Sequence, residues 1–112
     1  MILSGAEIPQ LGTLAFPSHE PPLLATQGSA DPINPPSLTN AFFDAAHAPK
    51  YLLTLVGASH LPPYTSEQPQ LGVVERATAA FLDYYLEGHA SARGALAADG
   101  NVRGVATLQA DP

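Results

Sequence analysis

Asp31 and His60 are the two residues of this chain whose types and contexts point most directly to chemistry. A carboxylate beside a histidine fixes the imidazole's tautomer, orients the ring and stabilises it once it has taken a proton. The pair is therefore suited to act as a general base on a nucleophile. Each residue follows an apolar run. Asp31 lies in the turn Gly28-Ser29-Ala30-Asp31-Pro32-Ile33-Asn34-Pro35, and His60 closes Gly57-Ala58-Ser59-His60 after Tyr51 to Val56. An acid and a histidine just beyond the carboxyl ends of neighbouring parallel strands stand side by side at the crevice where open α/β sheets bind ligands. Taken singly, each also has a plain structural reading: Asp before Pro is a common former of Asx turns, and a lone histidine after a strand needs no chemical role.

The elements that must hold this pair can be read around it. Pro22-Leu23-Leu24-Ala25-Thr26-Gln27, bounded by Pro21 and Gly28, is short enough for a buried strand. Ser37 is a good N-cap, and Leu38, Ala41, Phe42, Ala45 and Ala46 follow it at helical spacing, predicting an amphipathic helix that ends near Pro49. Tyr51 to Val56 reads as a second buried strand, so Leu23 to Val56 forms a β-α-β unit with parallel strands whose carboxyl ends share one edge. Leu61 to Gln70 is a proline-bearing loop. Val74, Ala77, Thr78, Phe81, Leu82, Tyr85 and Leu86 then predict a long helix stopping at Gly88. Met1 to Ser4 reads as a short buried strand, Glu7 to Glu20 as a connection with an extended piece at Thr13 to Phe16, and residues 88–112 as a surface tail with a helical turn at Ala92 to Ala98. The expected fold class is α/β, a short parallel sheet flanked by helices, in one unit spanning residues 1–112.

Composition narrows the function. With 46% apolar and 12% charged residues, the chain reads as globular rather than disordered. A net charge of -6 sets its field against phosphate backbones and anionic membrane surfaces, so neither nucleic acid nor a membrane is an expected partner. There is no cysteine, hence no disulfide framework and no thiolate nucleophile or ligand; any nucleophile is a hydroxyl or a carboxylate. His19, His47 and His89 show no ligand spacing and read as surface residues, so no metal is expected. No run of membrane-spanning length and no signal-peptide pattern is present, and the chain is expected to be soluble with no address of its own.

The Gly-Ser-Ala-Asp-Pro-Ile-Asn-Pro turn after a strand, the following strand with Gly-Ala-Ser-His, and the long helix ending Ala-Phe-Leu-Asp-Tyr-Tyr-Leu together resemble the C-terminal part of an α/β-hydrolase. The likeness is greatest to the branch containing dienelactone hydrolases, chlorophyllase-like esterases and cutinase-type polyester hydrolases, and it covers about Met1 to Gly88. It implies a sheet equivalent to the last three strands of that fold and a serine-type carboxylic ester hydrolase acting on a small-molecule or polymeric ester. It further implies Asp31 as the triad acid, His60 as the base, and no organic cofactor or metal. In that family the serine sits upstream, in a Gly-x-Ser-x-Gly elbow. None of Ser4, Ser18, Ser29, Ser37, Ser59, Ser66 and Ser91 lies in one. The chain alone is therefore expected to be inactive, as a fragment whose nucleophile lies elsewhere.

Other assignments stand beside these. Glu7 also follows an apparent strand end and is a weaker alternative to Asp31 as the acid. Leu61, Pro62, Pro63 and Tyr64, directly after His60, read equally as the lining of an acyl or alcohol pocket and as a proline-stiffened loop. Phe42, Phe43, Phe81, Tyr84 and Tyr85 read as helix packing, Asp44 and Glu87 as solvated faces, and Lys50 as a strand-entry residue. A rival of a different class is a non-catalytic module that associates with a copy of itself, or with another chain, through an exposed edge of the strand at Met1 to Ser4.

Overall fold

The computed structural model describes residues 1–3 and 19–112. Ser4, the extended piece at Thr13 to Phe16, Glu7 and Ser18 lie outside the described residues.

Two apolar strands form the middle of the fold. β2 (Leu23–Gly28) is buried at every position and β3 (Lys50–Leu55) at Tyr51, Leu52, Leu53 and Leu55. Strands covered on both faces lose the alternating pattern and read as continuous apolar runs, which is why both are visible in the sequence. They pair in parallel, with Leu23 opposite Lys50 and Gly28 opposite Leu55. β1 (Ile2–Leu3) adds to β2 in parallel, and β4 (Ala106–Asp111) runs antiparallel along the other side of β3, giving the order β1-β2-β3-β4.

The helices lie on both faces. Side chains alternate along a strand, so Ala25 and Leu52 face α1 (Pro36–Ala45), where they meet Phe43. Leu24, Tyr51, Leu53 and Leu55 face the opposite way, onto α2 (Gln70–Tyr85) and α3 (Ala92–Gly100), against Val73, Ala77, Phe81 and Leu96. Burying Leu24, Leu53 and Leu55, each fully out of water, contributes about 1.5–3 kcal/mol per side chain. Tyr51 and Tyr85 close this core with a hydroxyl–hydroxyl bond of 3.0 Å and an edge-on ring contact with centroids 6.1 Å apart. The α/β expectation holds in this mostly parallel sheet with flanking helices.

Several sequence expectations need correction. Ser37 does not cap α1: the helix starts at Pro36 behind Pro35, with no side-chain cap. Proline's preset φ suits the first helical position, where its missing N–H costs nothing. The buried stripe is Thr39, Phe42, Phe43 and Ala46, leaving Ala41 and Ala45 exposed, because a polar residue, Thr39, is drawn inward by a bond to β2. On α2 the stripe is Val73, Val74, Ala77, Ala80 and Phe81, while Leu82 and Leu86 are exposed. The small side chain of Ala80 lines the groove between α2 and α3.

Residues 88–112 are not a surface tail. They contain α3, which puts Leu96 into the core, and β4, which puts Ala106 there. Gly100 makes the passage possible: a Cβ on it would lie 2.8 Å from Leu108 Cβ. β4 escaped notice because it buries little beyond Ala106; an edge strand with one solvated face carries no apolar run. Lys50, at the start of β3, donates from Nζ to the carbonyl of Phe43 at 2.9 Å, placing a cation at the carboxyl end of α1.

Candidate active site

The loops after β2 and β3 leave the sheet side by side, because parallel strands paired in register end at the same edge. They are stitched together by hydrogen bonds. Ser29 N donates to Leu55 O at 2.9 Å, Ala30 N to Ala58 O at 3.0 Å, and Gly57 N to Ser29 Oγ at 2.7 Å. Gly57, at φ 68°, turns the chain after β3 in the left-handed region that favours glycine. Gly28 has a different reason to be glycine. A Cβ there would stand 2.4 Å from Ala58 O and 2.5 Å from Ser59 O, both backbone atoms with nowhere to move. Gly28→Ala is expected to push the His60 loop off the acid loop and to destabilise the chain by about 1–3 kcal/mol, the usual cost of overpacking, read from a urea melt.

Those two loops bring Asp31 and His60 together. Asp31 Oδ2 lies 2.8 Å from His60 Nδ1. The carboxylate side chain is wholly out of water, and the imidazole is 37% exposed. Asp31 combines its structural and chemical readings on separate atoms. Oδ1 accepts the backbone N–H groups of Ile33 at 2.9 Å and Asn34 at 2.8 Å, closing an Asx turn, while Oδ2 meets the histidine. A second donor, Gln27 Nε2, reaches Oδ2 at 3.4 Å. When Asp31 is ionised its carboxylate only accepts, so Nδ1 then carries the proton in this contact and Nε2 is the ring's basic atom.

The segment after His60 divides between the two readings given for it. Pro62–Tyr64 is a short 3-10 turn in which Pro63 is buried and Tyr64 packs against the main core. Tyr64 Oη accepts a bond from Thr26 Oγ1 at 3.2 Å. Leu61, by contrast, is 61% exposed, and Ile33, two residues past Asp31, is 72% exposed. Pro63 and Tyr64 are thus packing; Leu61 and Ile33 leave apolar surface on the two loops that carry the pair.

Burial pushes the Tyr64 hydroxyl above its ordinary value of 10.0; the bond from Thr26 works against this, and the nearby Asp31 carboxylate adds to it. A group that loses its proton less readily when folded contributes stability that is complete below its unfolded value and fades as pH climbs through the folded one. Chain stability is therefore expected to fall above pH 10, and Tyr64→Phe to flatten that fall in denaturant melts taken from pH 8 to 11.

The remaining histidines lie apart from the pair. His19 is exposed, His47 Nδ1 sits 3.3 Å from Glu20 Oε1, and His89 Nδ1 sits 3.4 Å from Asp83 Oδ1. Among the described residues, no three His, Asp or Glu side chains gather as a group able to hold a metal ion, and no helix is long and apolar enough to cross a membrane. A groove of about 540 Å³ runs between α2 and α3, bordered by the Arg76–Asp99 ion pair. No protein-family model matches the chain, and no curated protein matches it significantly. Sequence reasoning passed over Gly28, Ser29 and Gln27 as parts of the site. The only available signal was a polar glutamine and a glycine ending an otherwise apolar run before the acid.

Proposed function

We propose that this chain supplies the acid and base of a serine-type carboxylic ester hydrolase, with Asp31 as acid, His60 as base and the serine carried by a segment outside these residues. The observation that carries the reading is the 2.8 Å contact between Asp31 Oδ2 and His60 Nδ1 at the carboxyl ends of adjacent parallel strands. A buried carboxylate held by two backbone N–H groups, facing a half-exposed imidazole, has what a proton shuttle needs: one fixed partner and one ring that substrate can approach. In the first half-reaction His60 Nε2 takes the serine proton as Oγ attacks the ester carbonyl carbon. It then returns that proton to the departing alkoxide, leaving an acyl-serine. In the second half-reaction His60 takes a proton from water as the hydroxide oxygen attacks the acyl carbon, then gives it to the serine oxygen as the carboxylic acid leaves. Asp31 orients the ring and stabilises it while it is charged. No cofactor or metal is required by this route.

The purified chain, given a short-chain p-nitrophenyl ester, is expected to show no turnover above buffer. Turnover abolished by both His60→Ala and Asp31→Ala would place the nucleophile within these residues and overturn the assignment of the serine to another segment.

A second reading, a non-catalytic module that pairs through its sheet edge, is favoured by one observation. Met1 and Leu3, flanking and ending β1 at the outer position of the sheet among the described residues, are 57% and 44% exposed. An apolar strand at a sheet edge is a template for another strand. In analytical ultracentrifugation this reading requires concentration-dependent self-association; a monomer across the accessible range, with no binding of a hydrophobic dye, would contradict it.

A further inference from the structure

Gln27 is 1% exposed, the penultimate residue of β2, and points to the α1 side of the sheet. A primary amide taken out of water costs about 1–3 kcal/mol unless it finds partners. The surroundings of this one are sharply divided. Around Nε2 stand three oxygens: Gly28 O at 2.9 Å, Asn34 O at 3.0 Å and Asp31 Oδ2 at 3.4 Å. Two are carbonyls and one a carboxylate oxygen, so only a donor fits there, which fixes the orientation of the amide. The carbonyl end, Oε1, accepts the hydroxyl of Thr39, itself fully buried on α1. Glutamine offers one acceptor and two donors on one rigid plane. Leucine or methionine fills the space without donors, and glutamate sets a second carboxylate against Asp31.

The bonds have a geometric result. Gly28 and Asn34 are the two ends of the acid loop, and one side chain holds both, drawing the loop closed around Asp31. The same nitrogen approaches the carboxylate oxygen that meets His60, so the position of Oδ2 is defined from both sides. Thr39 ties this clamp to α1, which ties it to the fold.

We infer that Gln27, braced by Thr39, is the positioning residue of the Asp31–His60 pair: it holds the acid loop in the shape that presents Oδ2 to the imidazole. This rests on the reading of Asp31 and His60 as acid and base. It goes beyond that reading by assigning the geometry of the acid to a glutamine that itself touches neither substrate nor nucleophile.

The test is NMR of the whole chain with nitrogen-15 in its histidines, following exchange of the His60 Nδ1–H with water, the signal being assigned by its loss in His60→Gln. In Gln27→Met the exchange is expected to quicken by about tenfold or more, the loss of roughly one hydrogen bond to a charged group, while the backbone amides of Leu24 and Leu53 keep their protection. Thr39→Val, which exchanges a hydroxyl for a methyl at equal volume, is expected to move the same signal in the same direction, and Thr39→Ser to restore it. Unchanged exchange in both Gln27→Met and Thr39→Val overturns the inference. So does a parallel loss of protection at Leu24 and Leu53, or failure of both variants to fold, since the effect is assigned to the acid loop alone. A His60 Nδ1–H signal absent from the unmodified chain, or persisting unchanged in Asp31→Ala, instead overturns the acid–base reading, and this inference with it.

Discussion

Asp31→Ala is expected to destabilise the chain by about 3 kcal/mol or more, because it removes the acceptor that several donors share and each buried donor left unsatisfied costs about 1–3 kcal/mol. Four donors meet this carboxylate: Ile33 N and Asn34 N on Oδ1, and His60 Nδ1 and Gln27 Nε2 on Oδ2. An alanine removes the acceptor that all four share, and the bonds from Asn34 N and Gln27 Nε2 are buried. His60→Ala behaves differently. The imidazole is 37% exposed, so solvent can take its place at Oδ2, and the carboxylate keeps its backbone and glutamine donors. Its expected cost is about 1.5 kcal/mol, the lower end for a hydrogen bond to a charged group. Since a domain of this kind stands only about 5–15 kcal/mol above its unfolded state, the two variants differ in whether the protein survives gentle warming. Urea denaturation reads both. Equal costs, or an Asp31→Ala cost below about 1 kcal/mol, would show that the acid is not the structural centre of its loop.

The second large effect is on turnover. Under the proposed ester-hydrolase reading, in a protein that carries both these residues and the serine, His60→Ala is expected to lower kcat on a p-nitrophenyl ester by about 10²–10⁴-fold, the contribution of a positioned general base. KM is expected to change little, because the histidine acts on the proton in flight and not on the bound ester. The modest stability cost of this variant makes the comparison clean: a folded protein that binds ester without hydrolysing it. Hydrolysis unaffected by His60→Ala would show that the catalytic base lies elsewhere.

How far the sequence anticipates this arrangement follows from which residues are covered, and by what. The β-α-β segment from Leu23 to Leu55 is legible because strands buried on both faces are unbroken apolar runs, set off by Pro21, Gly28 and Gly57. The meeting of Asp31 and His60 is legible for the same reason, since parallel strands must deliver their following loops to one edge. β4 is not legible: Ala-Thr-Leu-Gln-Ala-Asp buries one small residue fully, and what recommends it as a strand is the vacant side of β3, a tertiary fact. α3 is legible in part, as the helical turn expected at Ala92 to Ala98, while its alanine and glycine side chains suit its contact with α2 and Leu108 but mark no apolar face. Thr39 and Gln27 carry a relation that the sequence does not display. They are polar residues on a helix face and in a strand, and the structure makes them partners in the interior. That internal bond is what turns α1 away from the stripe its apolar spacing suggests.

The most direct measurement is a double-mutant cycle on ester turnover in a protein that carries both these residues and the proposed serine, comparing the unmodified protein with Asp31→Asn, His60→Ala and the two combined. If Asp31 acts through His60, each single variant slows ester hydrolysis by orders of magnitude, and the double variant is no slower than His60→Ala alone, the non-additivity of residues that work as a unit. Losses that multiply in the double variant, or single variants that hydrolyse the ester at the unmodified rate, would contradict the assignment of Asp31 and His60 as one acid–base pair.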